Sequence, residues 1–139
     1  MAASGSRTFH CQVVTPEKVV VDKTASFVAL PAFDGELGVL AGRAPLIARL
    51  GSGELRVESP DGDETWFVSG GFAQMSGENL TLLTEEARLP STLDRAAAQA
   101  ELAQAQTRRP TDEAAFVAKE RAVERARAKS RLATRAAAG

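Results

Sequence analysis

The grammar of this chain changes once, near Pro90–Thr92, and that change limits what it can fold into. Before it, Val, Leu, Phe, Thr and Gly dominate. After it, Ala, Arg, Glu and Gln take over, and no glycine occurs before Gly139. Charge changes at the same place. Residues 1–90 hold seven Lys/Arg against twelve Asp/Glu, a balance of −5, whereas 91–139 hold ten against six, a balance of +4. The 139 residues are therefore read as a domain at 1–90 followed by a second at 91–139.

The first part reads as many short strands. In FHCQVV (9–14), Phe9, Cys11 and Val13 alternate with His10, Gln12 and Val14 until Pro16 breaks the run. VVVD (19–22) and ASFVALP (25–31) follow. ELRVES (54–59) puts Leu55 and Val57 on one face, and Asp61-Gly62 signals a hairpin into TWFVS (65–69). Gly70-Gly71 turns the chain into FAQMS (72–76), and LTLLTEEA (80–87) closes the series. Short strands with turn signals every 8–12 residues indicate an antiparallel sandwich or barrel.

The second part reads as two helices. The first starts near Ser91-Thr92 and runs to about Gln106; Pro110 forbids helix at Arg109. The second is capped by Thr111 or Asp112 and runs to about Arg135. A short connection implies an antiparallel hairpin. At 100° per residue, Leu93, Ala96, Ala97, Ala100 and Ala103 share a face of the first helix. Ala115, Phe116, Ala122, Val123, Ala126, Ser130 and Ala133 share one on the second, with Arg121, Arg125, Arg127, Lys129, Arg131 and Arg135 on its other side. Stripes made mostly of alanine bury little, at roughly 0.8 kcal/mol per carbon, so the hairpin is expected to be strongly helical but weakly held together.

Several function classes fall away. A net charge of −1 gives no long-range pull toward nucleic acid or anionic lipid. The chain has no apolar run long enough to span a bilayer, and MAASGSRTFHCQ lacks the apolar core of a secretory signal. Cys11 is the lone cysteine and His10 the lone histidine, and on an alternating strand they face opposite ways. That argues against a Cys-His pair and against a histidine-rich metal site. No catalytic site, cofactor or metal is expected. FDGELGVLAGRAPL (33–46) is glycine-rich but has neither phosphate-loop pattern. It reads as a short strand, ELGVL, between two shaped turns, and such a segment is a structural corner or a contact surface.

The words FHCQVVTPE, GELGVLAGRAPLIARL and VSGGFAQMSGENLTLLTEEA, in this order and followed by a two-helix tail, resemble the epsilon subunit of rotary ATP synthases, called delta in mitochondria. The resemblance spans residues 8–135. It implies an antiparallel β-sandwich of about ten strands followed by an antiparallel two-helix hairpin, with no active site of its own. It implies a subunit that clamps the gamma subunit to the c ring. Asp34, Gly35 and Glu36, with Gly42, Arg43 and Ala44, would then lie together at the end of the sandwich that meets the ring. The hairpin of many bacterial members extends into the catalytic head and impedes ATP hydrolysis. Arg121, Arg125 and Arg127 would contact the alpha and beta subunits in that state. Some members bind ATP through I/L-D-x-x-R-A at the start of the first helix. Here Leu93-Asp94 is present, but Ala97-Ala98 stand where Arg-Ala belongs. The arginine is two positions early at Arg95, about 200° around the helix. Asp94 and Arg95 are thus an incomplete form of that motif. The expected location is the cytoplasmic face of a bacterial inner membrane, reached only through the complex. The competing reading is a stand-alone sandwich binding module whose helices dimerise.

Overall fold

The computed structural model describes residues 7–138. The chain forms two compact units, one ending at Ala87 and one beginning at Arg88.

The first unit is a β-sandwich. Its strands are β1 Phe9–Val14, β2 Val19–Ala25, β3 Phe27–Ala32, β4 Gly35–Leu40, β5 Leu46–Arg49, β6 Ser52–Glu58, β7 Glu64–Ser69, β8 Phe72–Ser76, β9 Asn79–Leu83 and β10 Glu86–Arg88. One sheet has the order β2-β1-β9-β8-β5 and the other β10-β7-β6-β3-β4. The expected sandwich is present, and β1 and β9 pair in parallel within it. The alternation read in the sequence is the inward pattern: Phe9, Cys11, Val13, Leu55, Val57, Ala73, Met75, Leu80 and Leu82 are all buried in one core. Each fully buried large side chain contributes about 1.5–3 kcal/mol relative to exposure.

Two strand boundaries differ from the sequence reading. LTLLTEEA is not one strand: β9 ends at Leu83 and β10 begins at Glu86 in the other sheet. Thr84 makes the crossing. Its N–H donates to the Val14 carbonyl (2.9 Å), and its buried hydroxyl donates to the Ser69 carbonyl (3.1 Å). LIAR (46–49), not read as a strand, is edge strand β5, paired with β8 alone. The preceding turn at Gly70-Gly71 is set by backbone: Gly71 has φ +98°, and a Cβ there would overlap the Leu83 carbonyl.

An ion pair also ties the two sheets. Lys23 on β2 lies 2.8 Å from the Glu64 carboxylate on β7. Glu64 accepts a second bond from the Trp66 indole N–H (2.9 Å). These donors hold the Glu64 carboxyl below its usual range, the Lys23 hydrogen bond being the largest cause.

The second unit holds a 3₁₀ turn over Pro90–Thr92, helix α1 Arg95–Gln106 and helix α2 Glu113–Ala138. The first helix starts later than Ser91-Thr92. Leu93 is extended, and Asp94 is the cap, accepting from the Ala96 N–H at 3.0 Å. Asp112 caps α2 by accepting from Ala115 N–H at 2.7 Å, and Glu113 and Arg135 complement its dipole. The buried face of α1 is Ala98 and Ala105, with Glu101 and Leu102 half-buried. Ala96, Ala97, Ala100 and Ala103, read as the apolar stripe, are exposed. Alanine occurs all around this helix, so it cannot by itself specify a face. On α2 the buried residues are Ala126, Ala128, Lys129, Leu132 and Ala133, and Phe116 is exposed.

Candidate partner-binding surface

The outer face of the β2-β1-β9-β8-β5 sheet carries a row of apolar side chains where alternation would place polar ones. Register aligns Arg49 with Phe72, Phe72 with Leu83, Leu83 with Val14, and Val14 with Val19. Phe72 is 54% exposed, Leu83 56% and Val19 47%, and Ile47 on the edge strand is 72% exposed. Arg49 turns from this row toward Phe33, its guanidinium 4.5 Å from the ring centroid. An apolar patch of this kind on an otherwise polar sheet face fits a protein partner rather than a small molecule. The sequence reading missed it. The available signal was local: Phe72 shares a face with Gln74 and Ser76, and Leu83 with Thr81.

The stretch 33–46 is two turns around a strand, but the turns do not lie together. In the β3–β4 hairpin, Ala32 pairs with Gly35 and Phe27 with Leu40. Asp34, Gly35 and Glu36 are therefore at one end of β4, and Gly42, Arg43 and Ala44 lie beyond the other. The six residues of β4 separate them by roughly 20 Å. This corrects the expectation of one shared end. The Asp34 end is the one that carries Phe33, Arg49 and the Gly70-Gly71 turn, since Gly70 N–H donates to Gly51 and Leu50 N–H to Gly71. Asp34, Gly35 and Glu36 are all exposed. At the opposite end Gly42 has φ +82°, and a Cβ there would meet the Arg7 guanidinium at 2.8 Å.

The other singled-out residues are placed as follows. His10 and Cys11 do face opposite ways: His10 pairs with Asp22 at 2.6 Å on the exposed face, and Cys11 is fully buried. Burial pushes the Cys11 thiol up to about 12, so it is an inert core residue. Asp94 is engaged as the α1 cap, and Arg95 is the exposed first residue of that helix. The basic side of α2 is not one solvated arc. Lys129 is buried, 3.3 Å from the Glu101 carboxylate of α1, and Arg125 lies 3.9 Å from that same carboxylate. Arg127, Arg131 and Arg135, with Ser130 and Thr134, border an open depression floored by Leu102. Among the described residues no cluster of three His, Cys, Asp or Glu could hold a metal, and no helix is long and apolar enough to cross a membrane.

Comparison with known proteins matches this geometry to a family. Residues 8–90 match the family described as ATP synthase, Delta/Epsilon chain, beta-sandwich domain. The chain is 50% identical over 98 residues to the ATP synthase epsilon chain of Rhodopirellula baltica, covering 70% of this chain and 77% of that one. It is 42% identical over 98 residues to the sodium ion specific ATP synthase epsilon chain of Propionigenium modestum, covering 69% and 72%. A chain of the Euglena gracilis mitochondrial ATP synthase has the same fold, with a TM-score of 0.75 at 24% identity over 95% of this chain and 82% of that one. A chain of the Tetrahymena thermophila mitochondrial ATP synthase central stalk and c-ring has a TM-score of 0.60 at 14% identity, covering 94% and 96%. The sandwich, its turn words and these relatives together place the chain in the ATP synthase delta/epsilon family, to which it belongs.

Proposed function

We propose that this chain is a non-catalytic central-stalk subunit of a proton-translocating rotary ATP synthase, joining the gamma subunit to the c ring. The observation that carries the reading is the apolar row of Phe72, Leu83, Val19 and Ile47 on the outer sheet of a sandwich that matches the epsilon chains. Gamma covers this row. The adjoining turn of Asp34, Gly35 and Glu36, exposed and carrying two carboxylates, meets the polar loops of the ring. Gly42, Arg43 and Ala44 lie beyond the far end of β4, so they serve a separate contact rather than the same footprint.

The hairpin adds control. In an extended state Arg121, Arg125 and Arg127 face an acidic segment of the catalytic alpha and beta subunits and slow ATP hydrolysis. Asp94 and Arg95 remain a fragment of the family's nucleotide motif, since Ala97-Ala98 stand where its Arg-Ala would be, and the reading assigns the chain no cofactor. It reaches the cytoplasmic face of a bacterial inner membrane through the complex alone. Family membership sets aside the stand-alone binding module. Purification of the complex from native membranes tests the reading: the chain should comigrate with the catalytic head and the gamma subunit. Quantitative separation from the head under mild detergent would refute it.

A further inference from the structure

The turn between β3 and β4 has little in its own geometry to fix it. Phe33 and Asp34 are its two central residues, closed by the Ala32–Gly35 pair. Neither has a positive φ, so this is not one of the two-residue turns whose twist matches that of a hairpin. Gly35, at φ +142°, absorbs the difference, and a Cβ built on it would touch nothing within 4 Å. The tip that carries Asp34, Gly35 and Glu36 is exposed and gains little from packing.

The base of this turn is gripped from the other sheet. At Leu50-Gly51 the chain crosses from β5 to β6, and so from one sheet to the other. Phe33 N–H donates to the Arg49 carbonyl (2.7 Å), Ala32 bridges Leu50, and Gly51 N–H donates to the Pro31 carbonyl (2.9 Å). The same crossing is bonded to the Gly70-Gly71 turn, which leads into Phe72. Alternation would send the Arg49 side chain out beside Phe72. Instead its guanidinium lies over the Phe33 ring, 4.5 Å from the centroid. Phe33 is 45% exposed, so packing does not enclose the ring and the cation holds one of its faces.

We propose that Arg49 is a positioning residue: its guanidinium seats Phe33 and so fixes the carboxylate-bearing turn against the sheet that carries the apolar row. This rests on the stalk reading, in which the row meets gamma and the turn meets the ring. The Arg49–Phe33 stack makes those two contacts one rigid bracket, so that rotation of the ring is passed to gamma without slack at the turn. Arg49 acts through Phe33 rather than through a contact of its own with either partner.

Two substitutions test it. Arg49→Met keeps the aliphatic stem and removes the cation, and Phe33→Leu removes the ring. In the isolated full chain, Arg49→Met should raise hydrogen exchange of the Phe33 amide about two- to fivefold, with an unfolding midpoint near that of wild type. Phe33→Leu should raise exchange at that amide at least as much. The double variant should exchange no faster than Phe33→Leu alone, because both changes remove the same contact. In the assembled enzyme in membrane vesicles, Arg49→Met should bind gamma as wild type does but lose ion pumping per ATP hydrolysed. Unchanged exchange at Phe33, additive effects in the double variant, or undiminished pumping per ATP would each overturn the positioning role while gamma binding stands. Failure of the wild-type chain to bind gamma would instead refute the stalk reading and, with it, the bracket.

Discussion

Gly71 and Gly42 both hold left-handed backbone, yet the same substitution should affect them differently. At Gly71 an added Cβ runs into the Leu83 carbonyl, which β9 cannot move. At Gly42 it meets the exposed end of Arg7, a side chain that swings away. Gly71→Ala should cost about 3 kcal/mol or more, and Gly42→Ala about 1–2 kcal/mol, both read from urea unfolding midpoints. Glu64 gives a pH signature. Its folded pKa is depressed from 4.5, so its pairing stabilises the fold above the unfolded value and is lost as pH falls through the lower folded value. Glu64→Gln should therefore lower stability at pH 7 and flatten the acid slope below about pH 4.5. A slope identical to wild type would assign acid sensitivity to other carboxylates. Cys11 should react with thiol reagents only when the sandwich opens globally, because its thiol is buried and held protonated. At this scale the sequence was legible wherever a side chain had one role. Cys11 and His10 on opposite faces followed from strand alternation alone. The Lys23–Glu64 pair joins strands 41 residues apart and left no local trace.

The elements divide in the same way. Strands such as FHCQVV and ELRVES were readable because each alternates large apolar with polar residues, and a one-residue error would have inverted the core. β5 was not, because four residues between Pro45 and Leu50 with an alternating half-buried pattern carry too little signal. The break between β9 and β10 was hidden because Thr84 and Glu85 fit a strand as well as a crossing. The helices were recognised from composition, but α1 was given the wrong face, since alanine tells helix from strand better than inside from outside. Asp94 displaced Ser91 and Thr92 as the cap because the 3₁₀ turn at Pro90–Thr92 consumes those residues. Length makes a prediction here. A peptide of residues 113–138 should be substantially helical by circular dichroism in water, and one of residues 95–106 largely unstructured. Equal helicity in the two would contradict this argument from length.

For the whole molecule, the charge balance of −5 before residue 91 and +4 after it maps onto a sandwich unit and a helical unit. All the large core side chains gathered around Cys11, Leu55 and Met75 lie before Ala87. A chain ending at residue 90 should therefore fold cooperatively on its own. The candidate contact surface was only half legible: the turn words of 33–46 marked a special segment, but their separation by β4, and the apolar row across four strands, required the sheet register. Whether that row binds gamma is open to a direct measurement. Phe72→Asp with Leu83→Asp changes two exposed positions, so the sandwich should still fold, with an unfolding midpoint near that of wild type. Binding of this variant and of wild type to a purified gamma subunit, followed by calorimetry, should show wild type associating and the variant weakened at least about a hundredfold. A folded variant that binds gamma as tightly as wild type would show that the partner docks elsewhere.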